Sequence, residues 1–199
     1  MTSLDPLLAV AGFITVAAIT PGPNNFIVMA AAARDGFAAA LPAIAGVVIG
    51  SLGLLALVGA GAGAAFEALP ALRLLLMAAG ALYLTWLGGQ LIWQSNRHPS
   101  DGEPSDGRLP CTAGGVAAFQ LMNPKAWVLI VTAAAAVSGQ TAALYSLASL
   151  VAVISALCLS LWACAGSAIA GWLSQPAARR WFDRFMGGLL IASAVLLVL

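Results

Sequence analysis

Charge is what this sequence has least of. It carries 8 Lys and Arg and 7 Asp and Glu in 199 residues, or 8%, where a soluble domain has about a quarter. Too few ionised groups are present to make a water-facing shell, while 62% of residues are hydrophobic and the mean hydropathy is +1.00. Most of the surface therefore faces lipid. Histidine is almost missing: His98 is the single one, and it lies in a polar stretch. No acidic residue lies deep in any apolar run. Hydrolytic chemistry needs a nucleophile beside a base, or a metal with His and carboxylate ligands. Neither set can be assembled, which disfavours an intramembrane enzyme, a metal site and a cofactor. A net charge of +1 offers nothing to nucleic acid. Cys111, Cys158 and Cys164 lack metal-ligand spacing and read as small packing residues with one loop thiol.

What remains is apolar sequence in long blocks. A spanning helix needs roughly 20 apolar residues, and blocks of that kind occupy 7–33, 38–63, 70–94, 113–137, 142–172 and 182–199. The fold expected is all-α: six transmembrane helices in a single membrane domain, 1–199. Asp5 precedes the first block with no Lys or Arg, unlike the start of a cleavable signal, and no soluble domain is expected on either side. The separators hold the charges: Arg34 and Asp35, Glu67, Arg97 to Arg108, then Arg179, Arg180, Asp183 and Arg184. The polar stretch 96–112 reads as a flexible cytoplasmic loop between three-helix halves, 1–95 and 113–199. With both termini outside, every arginine except Arg73 falls on inner connections, as the positive-inside rule requires. Both termini are thus expected to be periplasmic.

The blocks are rich in small residues, as in Gly46 to Gly50 and Gly59 to Gly63, spacing that lets helices approach closely. Trp86, Trp93, Trp172 and Trp181 lie toward block ends and read as interfacial anchors. Trp127 and Trp162 lie deeper and are candidates to line a cavity.

Two blocks are interrupted. The first contains Thr20-Pro21-Gly22-Pro23-Asn24-Asn25, through which no regular helix passes, because proline lacks an N–H and clashes with the preceding turn. The fourth contains Gln120-Leu121-Met122-Asn123-Pro124-Lys125, where Asn123 has the form of an N-cap and Pro124 of a first helical residue. Backbone groups freed by such breaks are tolerated only inside protein or against a wet cavity. Each restarted helix aims N–H groups and a positive dipole end inward, and Lys125 adds a full charge beside one of them. An anion would offset that, and a solute carboxylate is the natural candidate. Structural alternatives stay open: a plain kink at Pro21–Pro23, a Lys125 side chain reaching a headgroup, asparagines that only join helices. The breaks nevertheless fall in corresponding helices of two halves that would insert in opposite senses, which is the sequence pointer to a transporter site near the midplane. Candidate solute-binding residues are Pro21, Gly22, Pro23, Asn24, Asn25, Asn123, Pro124 and Lys125. Asp35 is the candidate for proton coupling.

At these residues the sequence resembles the LysE/RhtB family of amino-acid exporters. Thr20-Pro21-Gly22-Pro23-Asn24 matches the family's first-helix motif and Asn123-Pro124-Lys125-Ala126 its fourth-helix motif. Gly80-Ala81-Leu82-Tyr83-Leu84 with Leu87-Gly88 looks like its third-helix pattern. The resemblance implies a bacterial inner-membrane exporter of small amino acids or related metabolites, driven by proton antiport. The lack of a buried acid favours neutral solutes. Expected partners are that solute, the lipid bilayer and, as an open option, further copies of the chain. A non-transporting assembly or signalling component is the alternative.

Overall fold

The computed structural model describes residues 4–62, 64, 68–96, 112–137 and 141–198. These form eight helices and no strand: α1 (Leu4–Ile19), α2 (Pro23–Asp35), α3 (Phe37–Gly59), α4 (Pro70–Ser95), α5 (Ala113–Met122), α6 (Pro124–Ala136), α7 (Thr141–Ile169) and α8 (Pro176–Val198), with a 3₁₀ turn at Trp172–Ser174. Asn96 and Thr112 apart, the polar loop 96–112 lies outside the described residues, and so do Glu67, Arg97, His98, Arg108 and Cys111.

Phe37–Gly59, Pro70–Ser95 and Leu144–Ile169 are each long and apolar enough to cross a membrane. The first and fourth blocks are bent pairs: α1 and α2 meet at 56°, α5 and α6 at 71°. The described residues thus hold three spans, or up to five if each bent pair is one. The expected sixth block is helical but does not qualify. Arg179, Arg180, Asp183 and Arg184 lie within α8, and every 18-residue stretch of its described side chains includes all four. Between α2 and α3 the chain turns at Gly36, whose φ of 84° suits a residue without Cβ.

Two apolar cores stack along the bundle. One joins α2, α3, α4, α5, α7 and α8, with Ile27, Val47, Leu87, Phe119, Leu159 and Leu190 among its members. The other joins α1, α3, α6 and α7 through Ile14, Leu54, Ile130 and Val151. Both α3 and α7 run through the two cores, and each carries a buried serine between them, Ser51 and Ser155.

Small residues set the helix spacing in the first core. A Cβ on Gly46 would lie 2.5 Å from the Ala113 carbonyl oxygen, and one on Gly50 2.6 Å from that of Ala117, so α3 and α5 touch backbone to backbone. Gly166 brings α7 equally close to the Met29 carbonyl of α2. Gly88 and Gly187 face each other across α4 and α8, each 2.6 Å from the other's carbonyl by the same measure. Trp86, Trp93, Trp172 and Trp181 are exposed, as anchors would be. Cys158 is buried and Cys164 exposed, both as free thiols.

Among charged separators a buried acid is not expected, yet Asp183 is 2% exposed. Its carboxylate lies 3.8 Å from the Arg34 guanidinium, itself buried, and so ties α2 to α8. Beside it Arg184 donates to Asn96 Oδ1 at 2.6 Å, fastening α8 to the end of α4. Removing one partner of a buried pair leaves a bare charge in apolar surroundings, which costs about 3–5 kcal/mol, whereas an apolar replacement of both is often neutral. Asp183→Ala should therefore lose about that much stability in denaturant unfolding in detergent, and Arg34→Met with Asp183→Leu should recover most of it. A single variant as stable as the parent would show that the pair is not held dry.

Candidate functional site

The first break begins where α1 runs out of backbone donors. Pro21 and Pro23 supply no N–H, so the carbonyls of the last α1 turn lose their helical partners. Side chains replace them. Asn25 Nδ2 donates to the carbonyls of Ala18 and Thr20, each at 3.0 Å. Trp162 Nε1 on α7 donates to Ile19 O at 3.3 Å. Lys125 Nζ, from the other break, donates to Thr20 O at 3.0 Å. Helix α2 then restarts from Gly22 with Pro23 in its first turn.

The second break restarts as the sequence predicts. Asn123 is the N-cap of α6, its Oδ1 accepting from Lys125 N at 3.1 Å, with Pro124 next to it. The Leu121 carbonyl takes the indole N–H of Trp127 at 2.8 Å.

Between the two cores these breaks enclose a cavity of about 60 Å³, room for on the order of four waters. Gly22, Pro23, Asn24 and Asn25 line it from the first break, Asn123, Lys125 and Ala126 from the second, and Ser51, Gln120 and Ser155 complete its polar wall. Ala17, Ala18, Val47, Leu129 and Leu159 supply apolar surface. Lys125 is exposed as a residue, so the cavity is open on its side.

Gln120 joins the two breaks. Its Oε1 accepts from Asn24 Nδ2 at 2.9 Å and from Asn123 Nδ2 at 3.4 Å, while its Nε2 donates to Ser51 Oγ at 2.7 Å. The sequence reading singled out neither Gln120 nor the serines. A buried amide one helical turn before the Asn-Pro pair was the available signal for Gln120, and the residue after Gly50 for Ser51.

Other candidates lie elsewhere. Pro21 is exposed and Pro124 half-buried, and neither lines the cavity; both act by ending or starting a helix. Trp127 and Trp162 are also absent from the lining, because their indole N–H groups are turned to freed carbonyls. Asp35, exposed at the end of α2, lies twelve residues past Pro23, about 18 Å along the helix at 1.5 Å per residue. It does not reach the cavity. Among the described residues no group of His, Cys, Asp and Glu is placed to hold a metal.

A family profile described as "LysE type translocator" matches residues 15–199, which includes both breaks and every cavity-lining residue. The chain belongs to this family. A family of translocators is not one of enzymes. The chain is 33% identical over 119 residues to a leucine efflux protein from Enterobacter sp. (strain 638), covering 57% of this chain and 54% of that one. It is 30% identical over 119 residues to a leucine efflux protein from Klebsiella pneumoniae, with the same coverage. It is also 35% identical over 82 residues to a cysteine/O-acetylserine efflux protein from Salmonella typhimurium, 40% of each chain. The chain spans about half the length of the curated relatives it matches first. No solved structure matches it.

If the two deep tryptophans serve the breaks rather than a solute, their loss should register in stability. Trp127→Phe keeps the ring but leaves Leu121 O without its donor, at a cost of about 1–3 kcal/mol. Thermal unfolding in detergent should show that loss. Unchanged stability would mean that the carbonyl has water or another donor.

Proposed function

We propose that this translocator is a bacterial inner-membrane secondary exporter of small neutral amino acids or related metabolites, coupled to proton antiport. The observation that carries the reading is the meeting of two helix breaks at one polar cavity, with Lys125 beside the restart of α2. A Cβ on Gly22 would lie 3.2 Å from Lys125 Nζ, so the ammonium stands against backbone that only a small residue leaves open. Two of its three protons remain after the bond to Thr20 O. A solute carboxylate received there would meet both a full positive charge and the dipole end of α2. Asn24, Asn25 and Asn123 complete the polar surround, with Pro21, Gly22, Pro23 and Pro124 shaping the backbone. The relatives' names, leucine efflux and cysteine/O-acetylserine efflux, favour uncharged solutes, as does a lining without Asp or Glu.

In this reading the chain crosses the bilayer six times as inverted halves, 1–95 and 113–199, joined by the cytoplasmic loop 96–112, with both termini periplasmic. The pairing of helices supports it. The α1/α2 pair packs on α7 as the α5/α6 pair packs on α3. The reciprocal approach of Gly88 and Gly187 is what a twofold exchanging α4 and α8 would give. Transport would rock one half against the other around the cavity. Asp35, distant from the cavity, would act in proton exchange only at its end of the bundle.

Lys125→Met is the direct test. Export of L-leucine, L-cysteine or O-acetyl-L-serine from loaded vesicles should fall about thirtyfold or more, as when one member of a buried charge pair is truncated. Undiminished export by a correctly inserted variant would refute the assigned role. No gradient-dependent flux of any amino acid by the unaltered chain would favour an assembly or signalling component instead. For orientation, Arg180→Cys in a background lacking Cys111, Cys158 and Cys164 should resist impermeant thiol reagents added from outside. Ready labelling would reverse the topology.

A further inference from the structure

Among the buried polar side-chain atoms of the residues that line the cavity, one acceptor is left over. Asn123 must turn its Oδ1 to the Lys125 N–H it caps, so its Nδ2 faces Gln120. Gln120 therefore shows its oxygen on that side and its nitrogen to Ser51. The same oxygen obliges Asn24 to present its Nδ2, at 2.9 Å. Asn24 Oδ1 is what remains: buried, on a residue that lines the cavity, and without a hydrogen-bond partner. A buried amide oxygen with no donor is unfavourable, and a solute that supplies donors relieves it. On the other wall Lys125 supplies donors and a positive charge.

We infer that Asn24 Oδ1 receives the α-ammonium group of the solute and that Gln120 is the positioning residue that holds it there. This rests on the proposed function and deepens it, since it assigns the end of the zwitterion opposite the carboxylate. An α-amino acid presents one carboxylate and an ammonium with three protons, the complement of this donor and this acceptor. The acceptor is a neutral amide, and no carboxylate lines the cavity to draw a second cationic group. The site thus selects amino acids with uncharged side chains. It also selects against the matching 2-keto acids, which would set a carbonyl oxygen against Oδ1 with no proton between them.

Equilibrium binding of L-leucine and of its 2-keto acid to the purified full chain in detergent tests the assignment. The unaltered protein should prefer L-leucine by about tenfold or more, the scale of a hydrogen bond to a charged group. Asn24→Leu should bring that preference below about threefold by weakening L-leucine while leaving the keto acid unchanged. Should that variant fail to fold, the Gln120 pair decides. Gln120→Met should lower the preference. Gln120→Glu still accepts from both asparagines and accepts a hydrogen bond from the Ser51 hydroxyl, so it should retain the preference. Equal weakening of both compounds, or an intact preference in Asn24→Leu and Gln120→Met, would overturn the inference while leaving the exporter reading standing. Failure of the unaltered chain to bind L-leucine, L-cysteine or O-acetyl-L-serine would overturn both.

Discussion

Everything distinctive in this molecule follows from the need to satisfy backbone groups that two interrupted helices set loose in an apolar interior. An unsatisfied carbonyl in such surroundings costs several kcal/mol, and the prolines that cause the breaks cannot be bonded away. The chain answers with side chains. Asn25 and Lys125 serve the last α1 turn and Trp162 the carbonyl between their two acceptors, while Asn123 and Trp127 serve the second break. Those side chains come from α2, α7, and α6 with its N-cap, so satisfying the breaks also pins the bundle together around them.

The same accounting explains why structure and candidate site cannot be separated. A polar residue brought in to satisfy a carbonyl keeps whatever capacity the carbonyl does not use. Asn25 gives both amide protons away and has no donor to offer a solute. Lys125 gives one and retains two. Asn24 satisfies no backbone group at all; its amide proton goes to Gln120 and its oxygen to nothing. Residues that look alike in the motif therefore hold different reserves. On the proposed reading, those with a reserve are the ones that meet the solute.

This difference marks how far the sequence alone could be read. The breaks were legible because Pro-Gly-Pro and Asn-Pro act on their own neighbours, and local covalent geometry needs no fold to take effect. Gln120 was not, since its partners Asn24 and Ser51 lie 96 and 69 residues away. Nor does sequence depth say where an indole N–H points, which is why Trp127 and Trp162 suggested a cavity and instead serve carbonyls. Asp183 was misleading for a different reason. Its neighbours Arg179, Arg180 and Arg184 give it the look of a connection, yet it sits between Phe182 and Met186 on a continuous helix and faces inward beside them.

One end of the bundle is closed by backbone contact, and that bears on how a rocking exporter of the kind proposed would open. On the side of Arg34, Asn96 and Arg184, α2 and α5 lie against α7 and α3 through glycines whose neighbours are backbone oxygens. Such contacts have no side chain to swing aside, because the atoms in the way belong to the helices themselves. In the proposed exporter, opening that end would move α2 and α5 as bodies, and α2 would part Arg34 from Asp183 as it goes. Each of those half-helices is already severed from its continuation, α2 from α1 and α5 from α6, at the edge of the cavity. On the proposed reading, the interruptions that make a polar site would also supply its pivots. A carboxylate gathered against Lys125 and the start of α2 would bear directly on the joint about which the half-helix must turn.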